Sequence, residues 1–234
     1  MTTPPIVLVP GFWLGAWAWD EVAARLREQG HDVRPVTLPG LDSVDADRSG
    51  ISFADHVDAI CAAVTEAGTP VVLAVHSGAG MSGYAATDKI PHQVAAMVYV
   101  DTAPGKGAIN PDFEGDEWPL PPTWEELDEN LDGISEEQLD RFRERAVPQP
   151  AAALREEWSF TNEDRRAVPS TVVCTAFTAE DYRKYAAEGY SFLAGLDEVS
   201  DITWIDLPTS HWPMWSRPDD LAQILGDVAR GVGT

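Results

Sequence analysis

The stretch that decides the fold is PVVLAVHSGAG, residues 70–80. Its first half is a short apolar run rich in β-branched residues, which predicts a buried strand. Its second half surrounds Ser77 with glycine and alanine, which predicts a sharp turn into a helix, because only small neighbours fit around a strained backbone. A serine at such a turn is a nucleophile elbow, with its hydroxyl at the top of the sheet. Val75 departs from the usual pattern, which has glycine two residues before the serine.

Strands and helices alternate on both sides of this segment. The predicted strands span residues 6–9, 32–36, 71–75, 94–100, 171–175 and 203–206. Helices are predicted between them, and their starts carry capping signals such as Ser52 with Asp55. Strands separated by helices of this length specify an α/β fold with a mostly parallel, doubly wound sheet and right-handed crossovers.

The alternation lapses between residues 105 and 166. This segment is rich in proline, shows no clear strand and has two good helix starts, at Thr123 and Ser135. Its tryptophans indicate that it packs against something. We therefore predict an α/β core formed by residues 1–104 and 167–234, with residues 105–166 as a helical lid over the top of the sheet.

The charge balance limits the partners that the protein can have. With 16 basic and 39 acidic residues, the formal net charge is −23. Such a field repels phosphate backbones and anionic lipid surfaces, so we expect neither nucleic-acid nor membrane partners. A small-molecule substrate is the expected partner, and we expect a monomer or a homodimer.

Other features favour a cytoplasmic protein without a cofactor. The sequence has no 18-residue apolar stretch, and its N-terminus lacks the basic region of a signal peptide. Cys61 and Cys174 are expected to be buried free thiols, which suits a reducing compartment. No cluster of His, Cys and Asp has metal-ligand spacing, and no glycine-rich loop has a phosphate-binding pattern.

Three polar residues follow predicted strands. Ser77 follows the strand at 71–75, Asp101 follows the next strand, and His211 comes after the last one. Because the carboxyl ends of parallel strands meet at one edge of the sheet, we expect these side chains to lie close together. An imidazole can take the serine proton and later give it to a leaving group, while a carboxylate fixes the imidazole tautomer. The order Ser, Asp, His therefore predicts a nucleophile, an orienting acid and a base.

Two further motifs carry a resemblance to a known family. PGFWLGAWAW (residues 10–19) resembles the oxyanion loop His-Gly-x-x-x-Gly-x-Trp of plant methyl esterases and hydroxynitrile lyases, with Pro10 replacing the histidine. SHWPM (residues 210–214) resembles the histidine loop of the same proteins. The chain is thus similar to the α/β-hydrolase superfamily over nearly its whole length.

This resemblance implies roles for particular residues. Ser77 would be the nucleophile and His211 the base, and the backbone N–H groups of Phe12 and Gly78 would form the oxyanion hole. The acid is less certain, because the usual family position falls near Thr178, which has no carboxylate. Asp101 occupies the alternative acid site used by haloalkane dehalogenases and is favoured.

Two other carboxylates remain candidates for the acid. Asp181 and Glu180 follow Thr178 closely. Both are also expected in the first turn of a helix, where acidic side chains interact favourably with the helix dipole.

The nine tryptophans of the chain suggest an aromatic pocket for an apolar, aromatic or bulky substrate. Most of them should pack in the core or the lid. The candidates for the pocket wall are Trp13, Trp212, Trp118, Trp124 and Trp158.

These features favour a serine hydrolase that acts on a carboxylic ester or lactone. A carbon–carbon lyase on the same scaffold is an alternative, although the hydroxynitrile lyases carry threonine where this chain has Gly11. A non-catalytic binder of small ligands is the third possibility, because a lid and tryptophans would suffice for binding.

Overall fold

Six parallel strands form the central sheet of the computed structural model, which describes residues 3–232. The strands of the chain are β1 (Ile6–Val9), β2 (Val33–Pro35), β3 (Val71–His76), β4 (Val94–Val100), β5 (Glu117–Trp118), β6 (Gln149–Pro150), β7 (Ser170–Cys174) and β8 (Ile202–Asp206). The main sheet has the order β2-β1-β3-β4-β7-β8, and every neighbouring pair is parallel. The predicted parallel α/β class is confirmed.

Nine α-helices complete the described fold between residues 3 and 232. They are α1 (Asp20–Glu28), α2 (Phe53–Glu66), α3 (Ala79–Lys89), α4 (Trp124–Leu127), α5 (Glu136–Arg145), α6 (Ala152–Arg155), α7 (Ala179–Ala187), α8 (Pro213–Ser216) and α9 (Pro218–Val232). The predicted capping box of Ser52 with Asp55 closes the N-terminus of α2. The first helical segment begins as a 3-10 turn, Ala16–Trp19, and becomes α-helical at Asp20.

The alternating side chains of β3 supply both layers of the core. Leu73 and Val75 belong to the hydrophobic layer that contains α2, α3 and α7. Val72 and Ala74 belong to the opposite layer, which contains α1 and α9. A strand that is buried on both faces must be apolar at every position, which explains the continuous run in the sequence.

A glycine in α3 accommodates the unusual Val75. A Cβ atom placed on Gly83 would lie 2.5 Å from Cγ1 of Val75, closer than two carbon atoms can approach. The branched side chain of Val75 can therefore be accommodated before the elbow because Gly83, which faces it on the following helix, has no side chain.

The segment 105–166 differs in part from the predicted helical lid. It contains α4, α5 and α6, with Thr123 and Ser135 at the expected N-caps. The prediction of no strand here is wrong, because β5 and β6 pair as a two-residue antiparallel ribbon. The ribbon is too short to show any alternation in the sequence, so the pattern could not reveal it.

No helix within residues 3–232 is long and apolar enough to cross a membrane.

Candidate active site

Ser77 occupies the turn between β3 and α3, as its sequence context predicts. Its φ angle of 49° lies in the left-handed region, which non-glycine residues seldom adopt. Two contacts hold it there: its N–H donates to the carbonyl of Val100 (3.2 Å), and its carbonyl accepts from the N–H of Gly80 (2.9 Å). Small neighbours are required because a Cβ on Gly80 would lie 2.5 Å from Oγ1 of Thr102.

A chain of hydrogen bonds links Ser77, His211 and Asp101. Oγ of Ser77 lies 2.8 Å from Nε2 of His211 and can donate its proton to that nitrogen. Nδ1 of His211 lies 2.6 Å from Oδ2 of Asp101 and donates to it. The structure therefore brings together the three residues that come from the ends of β3, β4 and β8.

Asp101 is fixed by contacts to its other carboxylate oxygen. Oδ1 accepts from the backbone N–H groups of Thr175 (3.0 Å) and Ala176 (3.1 Å) and from the hydroxyl of Tyr182 (3.3 Å). The φ angle of Asp101 is 45°, so this residue also has a left-handed backbone conformation. These four contacts, including the one to His211, aim the carboxylate at the imidazole.

The alternative acids do not contact His211. Asp181 accepts from the hydroxyl and the N–H of Thr178, at 2.7 and 3.0 Å, and closes the capping box of α7. Glu180 lies in the first turn of the same helix. Of the carboxylates considered from the sequence, Asp101 alone reaches the imidazole within the described structure.

Electrostatics favour a charged pair of His211 and Asp101. Burial lowers the pKa of His211, but the hydrogen bond and charge of Asp101, assisted by Glu129, outweigh it and raise the pKa above the ordinary value. Burial likewise raises the pKa of Asp101, yet the hydrogen bonds and charge that it receives bring the pKa below its ordinary value. Both shifts stabilise an imidazolium next to a carboxylate.

Two neighbouring residues hold the loop that carries His211. Nε2 of His76, the residue directly before Ser77, donates to the carbonyl of His211 at 2.7 Å. Burial lowers the pKa of His76 to about 3, so this imidazole stays neutral near neutral pH. On the other side, the N–H of His211 donates to the carbonyl of Asn130, whose side chain donates to the carbonyl of Thr209. His76 therefore holds the loop of His211 in place from its own position at the end of β3.

Phe12 and Gly78 lie side by side next to Ser77. The ring of Phe12 packs so closely on Gly78 that a Cβ there would lie 2.4 Å from the ring. Neither residue uses its N–H in a turn, loop or side-chain hydrogen bond between residues 3 and 232. Two free backbone N–H groups beside a serine hydroxyl are what an oxyanion hole requires.

The three residues open onto a cavity of about 270 Å³. Its walls are mostly apolar and come from the loop around Phe12, α3, the inserted segment and the region around α7. The lining residues are Phe12, Ser77, Gly78, Met81, Asp101, Thr102, Ile109, Glu129, Phe177, Tyr182, Phe192 and His211. A larger cavity of about 480 Å³ shares Phe177 but includes neither Ser77 nor His211, so the smaller one is the candidate substrate site.

With this geometry, the comparison with known proteins identifies the family. The profile of the α/β-hydrolase family matches residues 6–224. The chain belongs to the α/β-hydrolase family. It is 26% identical to methylesterase 3 of Arabidopsis thaliana, over 96% of this chain and 95% of that protein. The expected resemblance to the plant methyl esterase branch is confirmed.

Solved structures show the same fold for this α/β hydrolase. An extracellular α/β-hydrolase from a Paenibacillus species superimposes with a TM-score of 0.75 at 18% identity, over 96% of this chain and 98% of that one. Tomato methylketone synthase I, in complex with 2-tridecanone, superimposes with a TM-score of 0.74 at 18% identity, over 99% and 100% of the two chains.

The pocket tryptophans expected from the sequence are not in the cavity wall. Within the described chain, none of the five candidates lines the cavity with Ser77. Trp13 packs against Trp118, with ring centroids 4.6 Å apart, and Trp212 is a buried core residue whose ring lies edge-on to His211.

The other two candidates also pack elsewhere. Trp124 lies against Phe142 and under the guanidinium of Arg143, and the indole N–H of Trp158 donates to Asp88. The size of tryptophan suits it to packing between layers, so its abundance did not indicate the pocket of this hydrolase.

The sequence interpretation missed several residues that do line the cavity. The aromatic wall comes from Phe177, Tyr182 and Phe192, around α7. Glu129 was also missed, although its carboxylate lies 3.9 Å from Nδ1 of His211. No local pattern in the sequence marks Glu129: it is brought to the site by Asp128, which has a left-handed φ of 53° at the end of α4 and turns the chain just before it.

Proposed function

We propose that this α/β hydrolase cleaves a carboxylic ester or lactone of an apolar, bulky small molecule through an acyl-enzyme on Ser77. The observation that carries the proposal is the continuous hydrogen-bonded chain from Ser77 through His211 to Asp101, open to an apolar cavity. The similarity to a methylesterase supports ester chemistry rather than another hydrolysis.

In the acylation step, Nε2 of His211 takes the proton of Ser77 as Oγ attacks the ester carbonyl. The distance of 2.8 Å allows this transfer without movement of either residue. The negative charge that develops on the carbonyl oxygen is received by the N–H groups of Phe12 and Gly78. Asp101 stabilises the imidazolium formed on His211 and holds its tautomer.

The imidazolium then gives its proton to the leaving alkoxide, and an alcohol departs. In the second half of the reaction, water loses a proton to Nε2 of His211 and attacks the acyl carbonyl. Return of that proton to Oγ of Ser77 releases the acid and restores the enzyme. Each half uses the same base and the same oxyanion site.

The space around Gly11 disfavours the lyase alternative. A Cβ at this position would lie 2.8 Å from Cβ of Ser77 and 2.9 Å from Nδ1 of His76. The threonine that hydroxynitrile lyases carry here would not fit without displacement of the nucleophile.

Labelling with a fluorophosphonate probe tests the proposal. A phosphonyl adduct at Ser77, located by peptide mass spectrometry, is expected for a serine activated by His211. Ser77→Ala should abolish the adduct, while Ser82→Ala, a nearby buried serine on α3, should leave it intact. A screen of p-nitrophenyl esters against cyanohydrins then separates hydrolase from lyase activity. A wild-type protein that is not labelled, or that cleaves only cyanohydrins, would overturn the proposal.

A further inference from the structure

Glu129 is a carboxylate in the wall of the catalytic cavity with no cation of its own. Its side chain is 36% exposed, and its nearest charged neighbour is His211, at 3.9 Å. No lysine or arginine of the described chain lies within ion-pair distance of Glu129, and none of them lines the cavity. Because His211 already donates Nδ1 to Asp101, Glu129 keeps its hydrogen-bonding capacity for whatever enters the cavity.

Aromatic rings form the rest of the same wall. Phe12, Phe177, Tyr182 and Phe192 all line the cavity with Glu129. Phe177 and Phe192 are 48% and 40% exposed, so part of each ring is accessible to a ligand. The negative face of an aromatic ring attracts a cation, and several rings together are the usual recognition site of alkylated ammonium groups.

The charge of the whole protein acts in the same direction. With a net charge of −23, the molecule attracts cations and repels anions over the range of a Debye length. A cavity lined by an unpaired carboxylate and aromatic rings would add a local attraction for cations at its mouth.

We propose that the site selects esters that carry an alkylated ammonium group, which Glu129 and the aromatic wall of the cavity hold while Ser77 attacks the carbonyl. The inference rests on the ester hydrolysis proposed above and names its substrate class. Esters that carry a carboxylate are rejected by the same groups. Glu129 acts on the substrate, so its removal affects charged and neutral esters differently.

Isosteric pairs of esters that differ only in charge test the proposal. Acetylcholine and 3,3-dimethylbutyl acetate place the charge on the alcohol side. Methyl 4-(trimethylammonio)butanoate and methyl 5,5-dimethylhexanoate place it on the acyl side. In at least one pair, the wild-type kcat/KM should favour the cation by about tenfold, as expected for a partly desolvated cation–π and carboxylate contact. Acid release followed with a pH indicator measures all four substrates in the same way.

Three variants test which residues cause the preference for the cationic ester. At a pH above the acidic limb of the activity profile, where His211 is neutral with or without Glu129, Glu129→Gln should remove most of the preference by lowering kcat/KM for the cation far more than for the neutral ester. Phe177→Leu should weaken the preference. Glu114→Gln removes the same charge from an exposed position outside the cavity and should leave the preference intact.

The outcomes separate this inference from the proposed function. Neutral isosteres that are cleaved as well as the cations would overturn the inference and leave the esterase in place. An equal loss on charged and neutral esters in Glu129→Gln at that same pH would also overturn it, because Glu129 would then not distinguish the charge of the substrate. If no ester is hydrolysed and no fluorophosphonate adduct forms, the proposed function itself fails.

Discussion

Oδ2 of Asp101 lies 2.6 Å from Nδ1 of His211, so the carboxylate that orients the imidazole comes from the end of β4. The end of β7, where related enzymes usually carry this acid, presents Thr178 in a helix cap instead. The donor Tyr182 and the N–H groups of Thr175 and Ala176 follow β7, and they converge on Asp101. The region after β7 thus provides hydrogen-bond donors to the carboxylate of Asp101, although the carboxylate itself comes from the end of β4.

Replacement of Asp101 should therefore be far more damaging than replacement of Asp181. Asp101→Asn is expected to lower kcat by about 10⁴, because an amide permits the wrong imidazole tautomer. Asp181→Asn should leave kcat unchanged and lower the unfolding free energy only slightly, through the loss of its cap and helix-dipole contacts. Steady-state kinetics and urea unfolding of both variants check this prediction, and equal losses of kcat would contradict it.

Ser77→Ala should lower kcat by several orders of magnitude and leave the protein folded. The alanine keeps the Cβ atom in the elbow and removes only the hydroxyl that contacts His211. Ester turnover and circular dichroism of the purified variant measure the two effects. Turnover equal to that of the wild-type protein would show that the serine is not the nucleophile.

Activity should fall on the acid side at a higher pH than the ordinary pKa of histidine would give. As the proposed base, His211 can accept a proton only when neutral, and its pKa is raised because Asp101 and Glu129 outweigh the effect of burial. The profile of kcat/KM against pH should thus rise as pH increases through that raised pKa.

Glu129→Gln should move this acidic limb to lower pH, because it removes one of the charges that raise the pKa. Glu114→Gln serves as the control for a general change of charge. An acidic limb in the wild-type protein that lies below the ordinary histidine pKa would contradict the electrostatic assignment.

The contact between Gly83 and Val75 should appear as a coupling energy. Gly83→Ala places a methyl group 2.5 Å from Val75, and overpacking of this kind costs about 1–3 kcal/mol, offset in part by the better helix propensity of alanine. Val75→Ala alone removes core volume and should also destabilise.

The double variant should be more stable than the two single effects predict, by about 1 kcal/mol, because the methyl group introduced at position 83 would fill the space that the valine side chain leaves. Urea unfolding of the four proteins of the cycle measures this coupling. Gly50→Ala, where no atom lies within 4 Å of the new Cβ, controls for the substitution itself. Strict additivity would mean that the contact does not constrain the fold.

The strands, the helix caps and the neighbourhood of Ser77, Asp101 and His211 could be predicted because their signals are local. Strand runs and capping boxes depend on a few adjacent residues, and parallel topology then brings the strand ends together. The location of these three residues just after predicted strands was therefore enough to predict that they lie close together.

The cavity wall could not be predicted in the same way. Whether Trp158 or Phe177 faces the cavity depends on the paths of loops and short helices, which no periodic pattern encodes. Glu129 shows the same limit. It reaches His211 through a turn after α4 that is anchored when Asn130 bonds to the histidine loop, a contact between residues far apart in sequence.

The elbow requires a small residue at one of two facing positions, either on the strand before it or on the helix after it. A search for glycine two residues before the serine would discard this chain, since Val75 stands there and the vacancy has moved to Gly83. A criterion that accepts a small residue at either position would recover such chains. The same relationship predicts that replacing Val75 with the usual glycine leaves a cavity unless Gly83 is replaced by a larger residue at the same time.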